Sequence, residues 1–151
     1  WDANKVGLGP PPMLTDEGWL ICYHGAKVTA SGSIYRLGLA LLDRDHPDQV
    51  LIRGNEWVFS PHATYERLGD VPDVVFPCGW ILRDDDDTID MYYGAADSTV
   101  CLATASLNEL LDHLHTHRSV EHAEPGARSQ PLWLLQSGGA MSGTNHPSPD
   151  I

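Results

Sequence analysis

Lysine is nearly absent from this chain of 151 residues, with Lys5 and Lys27 the only two. Nine Lys plus Arg stand against 21 Asp plus Glu, a formal charge of −12, so neither a nucleic acid nor an anionic membrane finds a basic surface to rest on. Long apolar runs are also missing. No segment approaches the roughly 20 apolar residues that a membrane-spanning helix needs. Cysteine is scarce: Cys22, Cys78 and Cys101 lie far apart, without the C-x-x-C spacing of metal or redox work. Each sits among apolar residues and reads as a small buried hydrophobe in a reducing compartment, which makes a cytoplasmic location the expectation. The chain begins at Trp1 rather than Met, and nothing near it has the charged start and apolar core of a secretory signal. It reads as part of a longer polypeptide.

What is present is globular. A 42% hydrophobic share with five Trp and five Tyr is too apolar for a disordered chain, and the length suits one domain. Short apolar, β-branched and aromatic runs separated by turn residues predict strands at Trp19 to Tyr23, Tyr35 to Leu42, Val50 to Arg53, Val74 to Leu82, Ile89 to Tyr93 and Thr99 to Ala105. The run from Asp84 to Asp87, followed by Thr88, falls between two of these and reads as a solvated hairpin. The strands also repeat: Ile21-Cys22-Tyr23-His24-Gly25-Ala26 resembles Met91-Tyr92-Tyr93-Gly94-Ala95, and a small-residue strand follows each copy. Repeated sheets of this length predict an all-β fold of propeller blades.

One helix is expected, from about Leu107 to His115: Ser106 can cap it, Glu109 completes a capping box, and Leu107, Leu110, Leu111 and Leu114 share a face. Past Arg118 the pattern dissolves into Pro, Gly, Ser and His. The expected organisation is therefore a partial propeller over residues 1–118 and a disordered tail over 119–151.

Few residues invite a chemical reading. Lys5-Val6-Gly7-Leu8-Gly9-Pro10-Pro11-Pro12 lacks the second half of any nucleotide-binding glycine loop, but its prolines make a stiff extended segment that could position Lys5. His24 stands at a predicted strand end beside Gly25, and Asp97 follows Gly94-Ala95-Ala96 at the corresponding end of the second repeat. Taken singly, a solvated lysine and a structural histidine are the commoner cases; the correspondence of the repeats is what points both turns at one cavity. His113, His115 and His117 are expected to be solvent-exposed because alternate helical positions point to different sides. The aspartate run lacks the spacing and glycine of a calcium loop, so no metal site is expected. Trp19, Phe76 and Trp80 alternate with small residues and read as core.

Five strings together carry a resemblance: KVGLGPPP (Lys5 to Pro12), WLICYHG (Trp19 to Gly25), YRLGLALLD (Tyr35 to Asp43), GDVPDVVFPCG (Gly69 to Gly79) and YYGAADSTVCLATAS (Tyr92 to Ser106). In collinear order over roughly Trp1 to His115, they resemble the β-mannoside phosphorylases of glycoside hydrolase family 130, and within it the β-1,4-mannooligosaccharide phosphorylase branch. The resemblance implies the C-terminal blades of a five-bladed β-propeller. It also implies inverting phosphorolysis of a β-mannoside to α-mannose 1-phosphate, with inorganic phosphate as co-substrate and no metal or organic cofactor. By resemblance, Lys5 and His24 match phosphate-binding residues and Asp97 matches an acidic residue that hydrogen-bonds the sugar. Tyr35 and Arg36, near the cleft end of their strand, are candidates for contact with an acceptor sugar.

The expected partners are a β-mannoside oligosaccharide and phosphate, with a homo-oligomer for the full-length enzyme. Two departures stand out: the family's proton-donating Asp and its phosphate-binding arginines have no counterpart here, and Asp73 replaces the more usual Asn. The alternatives are a β-mannoside hydrolase of the same family, in which acidic residues replace the basic ones, or an inactive carbohydrate-binding propeller fragment.

Overall fold

The structure, a computed structural model, describes residues 1–30 and 32–118; the predicted tail, 119–151, lies outside them. The described chain is mostly strand: β1 (Lys5–Leu8), β2 (Met13–Thr15), β3 (Gly18–Thr29), β4 (Gly32–Leu42), β5 (Val50–Arg53), β6 (Val75–Leu82), β7 (Thr88–Ala95) and β8 (Thr99–Ser106). A single helical turn, α1 (Thr64–Arg67), separates β5 from β6, and α2 (Leu107–Thr116) follows β8. All pairings are antiparallel. They form two sheets, β1-β3-β4-β5 with β2 also on β3, and β6-β7-β8. Neither sheet closes on itself.

β1 and β2 lie along the same edge of β3, one against residues 23–26 and the other against 18–20. Between them run Pro10, Pro11 and Pro12, which have no N–H to offer a ladder, so the edge strand breaks in two. Gly9 N–H still reaches Cys22 O at 3.1 Å. The Trp80 indole donates to Pro11 O at 2.7 Å, tying the prolines to the second sheet.

The core lies between the sheets. Leu20, Cys22, Leu37, Leu39 and Leu41 project from one face of the first sheet against Val75, Ile89, Tyr93 and Ala95 of the second. The register explains the selection, since Leu20 faces Leu41 and Cys22 faces Leu39, alternate positions on one side of the β3–β4 ladder. Leu107, Leu111 and Leu114 of α2 close one end of this core. Ser106 caps that helix, its hydroxyl accepting from Glu109 N–H at 3.2 Å.

Three expectations are corrected. Cys22 is buried, with its thiol pushed up to about 12 by desolvation, but Cys101 is half-buried and Cys78 is exposed. Cys78 falls in a bulge where the β6–β7 register slips between Pro77 and Gly79, so it leaves the ladder and turns outward. The aspartate run is the expected exposed hairpin between β6 and β7, and it also carries hydrogen bonds. Asp85 accepts from Asp87 N–H, Thr88 N–H and the Thr88 hydroxyl. Asp87 accepts from Ser106 Oγ and Asn108 N–H, both at 2.9 Å, anchoring the start of α2. His113 and His117 are half-buried and share a face, being four residues apart, while His115 alone turns the other way and meets Glu17 at 2.6 Å. Phe76, expected in the core, is 39% exposed, because strand alternation sends Val75 and Pro77 inward and Phe76 outward.

Candidate functional site

Register decides which side chains meet at the end of the first sheet. Lys5 opposes Ala26 and Gly7 opposes His24; across the next ladder Ala26 opposes Tyr35 and His24 opposes Leu37. Opposed residues of an antiparallel pair project to the same side, as do residues two apart along a strand. Lys5, His24 and Tyr35 therefore occupy the face that, further along, carries Cys22, Leu37 and Leu39. Where the apolar core ends on this face, the polar group begins.

The second sheet completes the surroundings of His24. Its imidazole lies 4.7 Å from the Phe76 ring and 6.0 Å from the Tyr35 ring, centroid to centroid. Gly7 makes room for it, since a Cβ there would come within 2.4 Å of His24 Cε1. Desolvation lowers the His24 proton affinity first, and the Lys5 charge lowers it further, against a backbone hydrogen bond with Leu8. The ring is thus held neutral at neutral pH, with Nδ1 buried and without a partner. An exposed ammonium near a neutral imidazole suits an incoming anion, whose charge would favour protonation of the ring.

Asp97 stands on the tip of the β7–β8 hairpin, exposed. Ala96 and Asp97 both have positive φ, 47° and 51°, a conformation uncommon for residues with a Cβ and worth about 1–2 kcal/mol of strain per residue. A clamp holds it. Ala96 N–H donates to Val74 O, Val71 N–H donates to Ala96 O, and Ser98 N–H closes the turn onto Ala95 O, at 2.9, 3.1 and 3.0 Å. Ser98 Oγ accepts from Asp70 N–H at 2.9 Å. Gly69 is required beneath, since a Cβ would sit 2.4 Å from Ala96 O. The segment 69–74 is therefore a cradle for the turn that presents Asp97. Nothing in its own pattern announces this, because every contact is with a turn more than 20 residues away.

The same segment brings the two sheet ends together: Tyr35 N–H reaches Asp73 O at 3.3 Å, one residue before the carbonyl that holds Ala96. Asp73, at φ 60°, turns its carboxylate to Arg67 at 3.7 Å. It borders an open cleft of about 480 Å³ lined by Thr64, Arg67, Leu68 and Pro72.

Arg36 is not brought to this group. It opposes Gly25, on the other face of the sheet, and its guanidinium stacks 4.0 Å above the Trp57 ring. Two supporting residues were not read as part of the site in the sequence. Phe76 is one. Glu66 is the other, 4% exposed, its carboxylate accepting from the Tyr93 hydroxyl and from His62 and Ala63 N–H, each at 2.7 Å. Burial alone would raise the Glu66 carboxyl, but the Tyr93 hydroxyl and the two amides outweigh it and hold it below its usual value.

A lysine and a neutral imidazole on one face, with an exposed carboxylate and an exposed aromatic ring on neighbouring elements, offer N–H donors to an anion and an acceptor to a hydroxyl. Residues 1–116 match the β-1,4-mannooligosaccharide phosphorylase family model, and the chain belongs to glycoside hydrolase family 130. It is 39% identical over 120 residues to the β-1,4-mannooligosaccharide phosphorylase of Ruminococcus albus, covering 80% of this chain and 36% of that protein. Among solved structures, the β-1,2-mannobiose phosphorylase of Listeria innocua in complex with β-1,2-mannobiose superposes with a TM-score of 0.71. The two are 42% identical, over 77% of this chain and 31% of that one. A structure described with the family's hydrolases, which target β-1,2 mannosidic linkages in Candida mannan, matches with a TM-score of 0.60 at 31% identity, over 68% and 30% of the two chains. The chain thus spans about one third of the length of the relatives it matches. No helix among the described residues is long and apolar enough to cross a membrane.

Proposed function

We propose that this chain supplies the C-terminal blades of a five-bladed family 130 propeller, and with them part of the site of an inverting β-1,4-mannoside phosphorylase. In this reading Lys5 and His24 bind inorganic phosphate. Asp97 accepts a hydrogen bond from a hydroxyl of the mannosyl residue being transferred, and Tyr35 borders the sugar, with Phe76 against His24. A general acid from the rest of the enzyme protonates the leaving oxygen while phosphate attacks the opposite face of the anomeric carbon. The chain's own residues hold the nucleophile in line and orient the ring, which is where binding energy lowers the barrier.

The observation that carries this is the Lys5–His24 pair on one face of neighbouring strands, in a chain that has only one other lysine. It also favours phosphorolysis over hydrolysis, since water needs a basic carboxylate where a phosphate dianion needs cations and N–H donors. The β-1,4 linkage rests on the Ruminococcus albus relative and the family model.

A chimera tests it, with this chain in place of the matching 120 residues of that relative. The expected result is release of mannose 1-phosphate from β-1,4-mannobiose, dependent on phosphate. Free mannose at the same rate without phosphate would establish the hydrolase instead, and activity only on β-1,2-mannobiose would overturn the linkage.

A further inference from the structure

The last turn of α2 and its C-cap carry His113 and His117, four residues apart and on one side of the helix end, the spacing by which two imidazoles reach one metal ion. Glu56, from the loop after β5, faces them. One ligand atom from each of the three lies within 4.8 Å of the other two. His117 Nδ1 and a Glu56 carboxylate oxygen are 3.5 Å apart. That is close to the separation, about 3.4 Å, between two ligands of a tetrahedral ion bound at about 2.0–2.1 Å. The two rings lie with centroids 4.4 Å apart. His113 Nε2 is buried and has no hydrogen-bond partner. A buried ring nitrogen without a partner costs free energy that a metal–nitrogen bond would recover.

Both sides of the cluster are already fixed by the fold. Asn55 N–H donates to His117 O at 2.9 Å, and Gly54 bridges to Arg118, so the residues flanking Glu56 are tied to the end of the helix. His117 N–H donates to His113 O at 2.9 Å, which keeps the last turn helical and the two rings on one side. The helix C-terminus adds a partial negative charge that favours a cation. None of the three residues belongs to the group around Lys5 and His24.

We propose that Glu56, His113 and His117 form a site for one zinc ion, which fastens α2 to the loop after β5 and so joins the two sheets. Two imidazoles and one carboxylate select a borderline transition-metal ion over calcium or magnesium, which take oxygen ligands. Three protein ligands leave a fourth position for water. The ion's role is structural: it stabilises by binding the folded arrangement alone.

The experiment is isothermal titration of the untagged 151-residue chain, stripped with chelator, with Zn²⁺, and separately with Ca²⁺ and Mg²⁺. One equivalent of Zn²⁺ is expected to bind and to raise the melting temperature, with no heat from Ca²⁺ or Mg²⁺. Co²⁺ in its place should give the intense visible bands of a tetrahedral complex. E56Q and H117Q alter partly exposed side chains and should leave the metal-free circular dichroism unchanged while each weakens Zn²⁺ at least tenfold. H113Q should do the same. Absence of binding would overturn the proposal, as would one-equivalent binding of equal strength in all three variants, which would place the ion on histidines elsewhere in the chain such as His122 and His146.

Discussion

Glu66 shows how much one buried carboxylate can organise. It satisfies the Tyr93 hydroxyl and two backbone amides at once, locking residues 62–66 against the second sheet. Glu66→Ala leaves the buried Tyr93 hydroxyl and two part-buried amides without their acceptor and is expected to cost about 1–3 kcal/mol, read by urea unfolding. Tyr93→Phe should cost about 1 kcal/mol, and the double variant should be less destabilised than the sum of the two. An additive double variant would mean that the pair is not coupled.

Glu66 and His24 both contribute to the response to acid. Glu66 is held below its unfolded value, so its contribution is present above about pH 4.3 and is lost as pH falls through the folded value. His24 is held below its unfolded value of about 6.5, so the unfolded chain binds more protons there and stability declines as pH falls from about 6.5 through the folded value. Thermal melts from pH 7.5 to 5.5 should show a decline that His24→Gln flattens; an unchanged slope would contradict the desolvation of this ring.

Among the elements, α2 and β5 were legible for local reasons. Val50 to Arg53 is a short apolar run between turn residues, and Ser106 with Glu109 marks a helix start at the position the structure shows. The lengths of β3 and β4 were underestimated because their outer halves, Ala26–Thr29 against Gly32–Tyr35, contain few apolar residues and persist by pairing with each other. β1 and β2 were hidden by glycine and proline, and exist only because β3 offers an edge. The Lys5–His24 pairing was legible through the resemblance, whereas the separation of Tyr35 from Arg36 follows from strand parity. The cradle under Asp97 was not legible at all.

At the same scale, the start of α2 depends on Asp87 as well as Ser106. Ser106→Ala is expected to cost about 1 kcal/mol. Asp87→Ala should cost at least as much, since its carboxylate accepts from both the cap hydroxyl and Asn108 N–H. Equal stability of Asp87→Ala and the parent in urea would show that these hydrogen bonds do not anchor the start of the helix.

For the molecule as a whole, the chain spans about a third of its relatives, and β8 is an edge strand with Val100 and Leu102 75% and 52% exposed. Such an edge pairs readily with another chain. The isolated chain should therefore self-associate in light scattering as its concentration rises, and Val100→Lys should reduce this; a monomer at all concentrations would show that the edge is already protected. Purified alone, the chain is expected to release little or no mannose 1-phosphate from mannobiose, because in the proposed reading the proton donor to the leaving sugar lies in the rest of the enzyme, a contribution of ~10²–10⁴-fold in rate.

The assignment of Lys5 and His24 to phosphate is tested most directly by steady-state kinetics of the chimera with each substrate varied separately. Lys5→Ala and His24→Ala should raise the KM for phosphate far more than that for the mannoside, while Asp97→Ala should chiefly lower kcat. A phosphate dependence left untouched by Lys5→Ala would contradict the account.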